Sequence, residues 1–225
     1  MTVKLNPRYT YQKLDRIENA GPRLYLTPDG ARVPSVTTIL GQTGDKTALI
    51  EWRRRVGEEE ANRISKESTG LGTLVHKHVE NYILGEARPS GNNLVQVMAK
   101  DMADRIIERG LSQVTEVWGM EASLYYPGLY AGTTDLVGEY EGVPAIMDHK
   151  TAKKIKKREW IEDYFIQTCA YALAHNAVYG TDIRQGVIFM VDREQGYETF
   201  VIKGAEFDHY CDLWTQRVDQ FYNAK

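Results

Sequence analysis

The chain has 225 residues, 42% hydrophobic and 26% charged, with 7 prolines and a net charge of −3 from 28 basic and 31 acidic side chains. These figures fit one globular domain over 1–225; they exclude disordered, collagen-like and disulfide-scaffold chains and argue against a protein that coats nucleic acid by bulk charge. Two cysteines, Cys169 and Cys211, cannot form a disulfide framework or a four-cysteine zinc or iron-sulfur site, and no apolar run nears the ~18 residues of a membrane span or forms a secretory signal; buried thiols, a cytoplasmic setting and no membrane partner are expected.

Leu24–Leu26 and Ala31–Val33 flank Thr27-Pro28-Asp29-Gly30, where Pro fixes φ and Gly permits a positive one, and the pattern predicts a small hairpin. A charge-rich helix is expected from Lys46 to Lys66, broken at Ser68-Thr69-Gly70-Leu71-Gly72, with a second helix running to Leu84 before Gly85. From Asn93 to Arg109 the residues Leu94, Val97, Met98, Met102, Ile106 and Ile107 recur at helical spacing and predict a core-facing stripe.

The period then changes from helical to alternating. Val114–Tyr126, Gly132–Tyr140 and Val143–Thr151, rich in Val, Tyr, Thr and Trp, read as strands. A helix from Glu159 to Tyr179 ends at Gly180, and strands Gly186–Val191 and Glu198–Lys203 bracket a turn. A last helix from Glu206 carries Phe207, Tyr210, Trp214, Val218 and Phe221 on one face, as a lid over the sheet. The fold class is α/β (α+β), with a mixed central sheet flanked by helices over 111–225 and a mainly helical N-terminal part over 1–110.

Tyr140-Glu141-Gly142-Val143 reads as a two-residue hairpin loop. If Tyr140 pairs with Val143, the register carried back along both strands sets Asp135 opposite Asp148, with Cβ atoms about 4.5–5.5 Å apart. Like charges so placed repel, and a bound cation would resolve the conflict. Side chains alternate along a strand, so Lys150 shares the face of Asp148 while His149 points to the other. Paired oxygen ligands suit Mg²⁺ or Mn²⁺, and a nearby ammonium can orient a water and offset charge on a phosphoryl group. The alternative is a surface Asp-Lys pair opposite a stray acid; against it stands the apolar run Pro144-Ala145-Ile146-Met147, where an unpaired carboxylate would be costly to desolvate.

Other residues carry two readings each. His76 and Glu80 lie four apart on one helix face, beside Val75, Val79 and Ile83, as a metal ligand with its neighbour or as ordinary helix-surface residues. The acid-free run from Lys150 to Arg158, with Lys153 and Lys154, is a phosphate-binding stretch or a solvated face; Arg53-Arg54-Arg55 makes a second basic cluster. Trp160, Tyr164, Gln167 and Tyr171 form a stripe whose polar tips suit a nucleic acid strand or a core. Glu121 is a second acid near the site or a solvated strand residue.

Gly72, His76 and Glu80 (Gly-x-x-x-His-x-x-x-Glu), Gly132 and Asp135 (Gly-x-x-Asp), Asp148, Lys150 and Thr151 (Asp-x-Lys-Thr), and Gln167 and Tyr171 (Gln-x-x-x-Tyr) stand in one order along the chain. Together they resemble the RecB-type branch of the PD-(D/E)XK nuclease superfamily. Pro34-Ser35-Val36-Thr37 and Asp135-Leu136-Val137-x-Glu139-Tyr140-x-Gly142 are similar to the group of the mitochondrial genome maintenance exonuclease and its phage relatives. The blocks span Tyr25 to Tyr222, and Thr134 stands where the superfamily has a Pro. The resemblance implies a restriction-endonuclease-like core and a Mg²⁺- or Mn²⁺-dependent DNA nuclease without an iron-sulfur cluster. It implies Asp135, Asp148, His76 and the His149 carbonyl as metal ligands and Lys150 as the water-positioning residue, with Glu80 and Glu121 as candidates to stand behind the ligands. Ser35, Thr133, Thr151, Lys153, Lys154, Gln167 and Tyr171 are the implied substrate contacts. The expected activity is hydrolysis of single-stranded or frayed DNA ends in repair, recombination or degradation; a structure-selective endonuclease and a non-catalytic DNA-binding accessory protein remain open.

Overall fold

The computed structural model describes residues 3–17 and 22–224. Near the N-terminus, β1 (Asp15–Ile17), β2 (Leu24–Leu26) and β3 (Arg32–Pro34) form an antiparallel sheet in that order. The β2–β3 turn is the expected hairpin: Gly30, at φ 81°, donates its N–H to the Thr27 carbonyl at 2.9 Å. This sheet means that the N-terminal part is less purely helical than its composition suggested.

Four helices follow: α1 (Val36–Thr43), α2 (Thr47–Val56), α3 (Glu58–Leu84) and α4 (Leu94–Arg105), the last running into a π-turn over Ile106–Gly110. The helix break expected at Ser68–Gly72 lies instead at Gly57, whose φ of 88° is a left-handed value that favours glycine. Helix α3 continues through the small residues, where Thr69 and Thr73 return their hydroxyls to the carbonyls of Ser65 and Thr69. Gly72 serves close packing, since a Cβ there would stand 3.3 Å from Thr151 Oγ1. In α4 the stripe holds for Met102 and Ile106, which are fully buried, but Leu94 is 86% and Val97 43% exposed.

The main sheet comprises β4 (Val114–Tyr126), β5 (Tyr130–Tyr140), β6 (Val143–Ala152), β7 (Gln185–Asp192) and β8 (Tyr197–Lys203), hydrogen-bonded in that order. All neighbours are antiparallel except β6 and β7, which are parallel and joined by the crossover helix α5 (Glu162–Tyr179). Alternation along the strands divides the core. Ile146, Ile188 and Met190 pack with Phe165 and Cys169 of α5, whereas Met147, Val187 and Phe189 pack with Val75 and Val79 of α3 and Met102 of α4. Strand β7 is therefore apolar on both faces, as a central strand must be. The last helix, α6 (Ala205–Asn223), buries Phe207, Trp214, Val218 and Phe221; it packs on α5 and α1 and also reaches the sheet, where Trp214 meets Tyr130 of β5 edge-on at 4.8 Å. No helix among the described residues is long and apolar enough to cross a membrane.

The N-terminal segment is tied to this frame through His175 on α5, fully buried, whose Nε2 shares a hydrogen bond with Tyr11 Oη (3.0 Å) and Nδ1 with Thr181 Oγ1 (2.7 Å). Burial pushes its pKa down to about 4. The unfolded chain takes up this proton near pH 6.5 and the folded chain only near 4, so the stabilisation is complete above pH 6.5 and is lost as pH falls toward 4. His175→Gln should remove up to about 3 kcal/mol of that pH dependence, checked by urea unfolding of both proteins at pH 7 and pH 4.5; parallel pH profiles would contradict the assignment.

Candidate active site

The β5–β6 ladder follows the predicted register from Tyr140↔Val143 to Leu136↔Met147 and stops there. Beyond it β5 stays with β4, while β6 runs on against β7 from Ile146↔Gly186 to Ala152↔Asp192. The two strands part where Asp135 and Asp148 stand, so the direct cross-strand pair expected from the register is not part of the ladder. The Asp135 carboxylate takes over instead, accepting the His149 backbone N–H at Oδ2 (2.7 Å).

Asp148 and Lys150 share the face toward α5, as alternation required, and form an ion pair whose carboxylate is buried and whose ammonium is partly exposed. Lys150 Nζ also donates to Gln167 Oε1 (3.1 Å) and lies 4.9 Å from the centre of the Tyr164 ring; Gln167 Nε2 in turn donates to Tyr171 Oη (3.3 Å). Three groups thus hold one ammonium. The ring of His149 points toward α3, stacked on Phe189.

From α3, His76 Nε2 donates to the His149 carbonyl (3.0 Å), and its Nδ1 lies 3.4 Å from Asp135 Oδ1. His149 Nδ1 lies 3.7 Å from Asp135 Oδ2, and ligand atoms of His76, Asp135 and His149 fall within 4.8 Å of one another. Among the described residues, His149 Nε2 is buried without a hydrogen-bond partner. Two imidazoles, carboxylate oxygens and a carbonyl suit a divalent ion that accepts both nitrogen and oxygen ligands, and a cation could replace the proton shared by His76 and the His149 carbonyl. The donor set therefore fits a metal centre.

The electrostatics follow from burial and from the neighbours. Burial pushes Asp135 up, but His76, His149 and Lys150 outweigh it and hold the carboxylate well below the usual range. Burial and then the Asp135 charge raise Asp148, in spite of Lys150. Burial opposes charge on His76, yet Asp135 and Asp148 prevail and lift it to about 9; His149 is pushed down to about 4 by burial. Lys150 is disfavoured by burial but raised overall by Asp148 and Asp135, and so stays an ammonium.

The other sequence-predicted residues divide. Glu80, paired with Lys77 (2.9 Å), and Glu121 line the same recess as His76, Asp135 and His149. Glu121 stands opposite Asp135 between the Met120↔Leu136 and Ala122↔Thr134 pairs, at φ 44°. Tyr171 is buried and serves Gln167, not a surface. Ser35 is buried too, its Oγ capping α1 by accepting the Thr38 N–H (2.9 Å). Thr133 lines a neighbouring cleft, Thr151 and Lys153 line another, and Lys154 turns away to Glu194. Trp160 stands 65% exposed in a short turn before α5. Sequence reasoning missed the His149 ring as a possible ligand and Tyr164 as a support for Lys150; the i, i+3 spacing of Tyr164 and Gln167 was the available signal for the latter.

No protein-family model matches the chain. Its sequence is similar to human mitochondrial genome maintenance exonuclease 1, with 24% identity over 209 residues, covering 86% of this chain and 59% of the human protein. It is similar to the mouse protein of the same name, with 26% identity over 173 residues, covering 72% of this chain and 50% of that one. The chain thus spans between half and three fifths of the length of these relatives. Among solved structures, a putative exonuclease from Eubacterium rectale superposes with a TM-score of 0.50 at 15% identity, covering 68% of this chain and 64% of that one, a likeness of fold. The resemblance drawn from the motifs and the mixed α/β architecture agree with these relatives.

Because the Asp148 pKa is raised on folding, its charge costs stability at neutral pH: the stability is present at low pH and is lost as pH rises through the folded value. In chelator at pH 7, Asp148→Asn should melt about 2–6 °C higher than the parent, and Mn²⁺ should raise the melting temperature of the parent more than that of the variant; equal responses to Mn²⁺ would contradict a role for Asp148 in binding. A ligating imidazole must be neutral, so Mn²⁺ uptake at pH 7 should release about one proton from His76. Calorimetry in two buffers of different ionisation enthalpy reads this, and His76→Gln should abolish it.

Proposed function

We propose that this chain is a divalent-metal-dependent deoxyribonuclease, an exonuclease that hydrolyses phosphodiester bonds at single-stranded or frayed DNA ends in repair, recombination or degradation. The observation that carries the reading is the meeting of Asp135, Asp148, Lys150 and His76 where β5 and β6 separate. The relatives are exonucleases by name, and that activity is carried here to this chain.

Asp135, Asp148, His76 and the His149 carbonyl are the residues that would hold the metal, Mg²⁺ or Mn²⁺, with the His149 ring at hand for Mn²⁺. Such an ion polarises a phosphoryl oxygen and lowers the pKa of a bound water. The remaining work falls to the chain. Lys150, an ammonium at neutral pH, is a donor and not a general base; its N–H groups orient the attacking water and offset the charge that builds on the phosphoryl oxygens. Gln167 and Tyr164 fix its position, and Tyr171 fixes Gln167. Glu121 and Glu80 border the opening with negative charge, which draws cations inward.

The test uses end-labelled single-stranded, duplex and circular single-stranded DNA with Mg²⁺, Mn²⁺ or chelator. Linear strands should be shortened only with metal and circles left whole, and Asp148→Asn or Lys150→Ala should lower the rate by about 10²–10³ or more. Cut circles would make the enzyme an endonuclease; no cleavage of any substrate would overturn the reading.

A further inference from the structure

The parallel strands β6 and β7 end together at Ala152↔Asp192, and the crevice outside the carboxyl ends of parallel strands is where α/β sheets bind ligands. A cleft of about 200 Å³ opens there, lined by Ser68 of α3, Thr151, Lys153, Lys156 and Arg193. It has room for several waters, hence for a phosphate group. Three cations and two hydroxyls line it, and among the described residues no carboxylate does.

The neighbouring acids are engaged elsewhere. Asp192 Oδ2 accepts the Ile155 N–H (2.9 Å) and Oδ1 the N–H groups of Glu194 (2.9 Å) and Gly196 (2.8 Å). These bonds tie the loop bearing Lys153 and Lys156 to the turn bearing Arg193. Glu194 lies beside Lys154 (3.4 Å), which does not line the cleft. The charged residues among those described as lining the cleft are thus all cations, held together by these backbone bonds, and a cleft of one sign attracts the opposite ion. The hydrogen bond of the Arg193 guanidinium among the described residues is a long one, to Ser68 Oγ (3.4 Å).

The cleft adjoins the proposed active site through Tyr164. Its hydroxyl accepts from Lys156 Nζ (2.9 Å), and its ring lies 5.1 Å from that ammonium and 4.9 Å from that of Lys150. Thr151 directly follows Lys150. We propose that Lys153, Lys156 and Arg193, with the hydroxyls of Thr151 and Ser68, form a subsite for a backbone phosphodiester of the DNA strand next to the bond being cut. The assignment rests on the nuclease reading for its ligand, and the contact is independent of base sequence because only the backbone is gripped.

Fluorescence anisotropy of a labelled single-stranded oligonucleotide, in chelator and from 50 to 200 mM salt, tests it on the full chain. Arg193→Gln and Lys153→Gln should each weaken binding about 3–10-fold for every sequence and make the slope of log K against log salt shallower by about 0.7. Arg184→Gln, which removes a remote pair with Asp208, is the control and should match the parent. Parent-like affinity and slope in both cleft variants, or no binding of the oligonucleotide by the parent, would overturn the subsite. Cleavage by the parent with Mn²⁺ is scored separately: a parent that binds through these residues but never cleaves would sink the nuclease reading alone.

Discussion

The 2.7 Å hydrogen bond from the His149 backbone N–H to the Asp135 carboxylate decides where β5 and β6 stop being neighbours. A buried N–H must find an acceptor, and here a side chain supplies it where the ladder would otherwise continue. The bond holds the two strands apart without leaving an orphaned donor. It also brings the His149 carbonyl under His76 and leaves Asp148 on the open side of the gap, beside Lys150.

Everything else around the site balances the charge so concentrated. Two carboxylates in a buried setting repel, and the protein answers with His76 from one face of the sheet and Lys150 from the other. Both cations are held charged by the acids against the cost of burial. The helices act as a clamp: α3 delivers His76, and α5 delivers Tyr164, Gln167 and Tyr171 behind Lys150.

Much of this was legible in the chain. The hairpin loop at Glu141-Gly142 fixed the register, which holds for all five pairs formed, because a one-residue slip would turn Val137 and Met147 to the wrong faces. Alternation placed Asp148, His149 and Lys150 correctly. What could not be read was the point at which the ladder gives way, since that depends on the Asp135 side chain taking the His149 N–H in place of a backbone acceptor. Helix α3 was split in the wrong place because Gly70 and Gly72 weigh as breakers locally, whereas Gly72 sits in close contact with Thr151 and Gly57 alone adopts positive φ in this stretch. Ser35 is a substrate contact by resemblance, but a serine before a helix is at least as well explained as its cap, and its Oγ accepts the Thr38 N–H. Arg193 gave no local signal, for it meets Lys153 and Lys156 only through the bonds of Asp192.

The most direct test of the centre is the anomalous diffraction of crystals grown with Mn²⁺. The account requires a peak bonded to Asp135, Asp148 and His76, with Lys150 beside it and the His149 N–H still on Asp135. Density without a peak between those acids, or manganese bound elsewhere on the molecule, would contradict it.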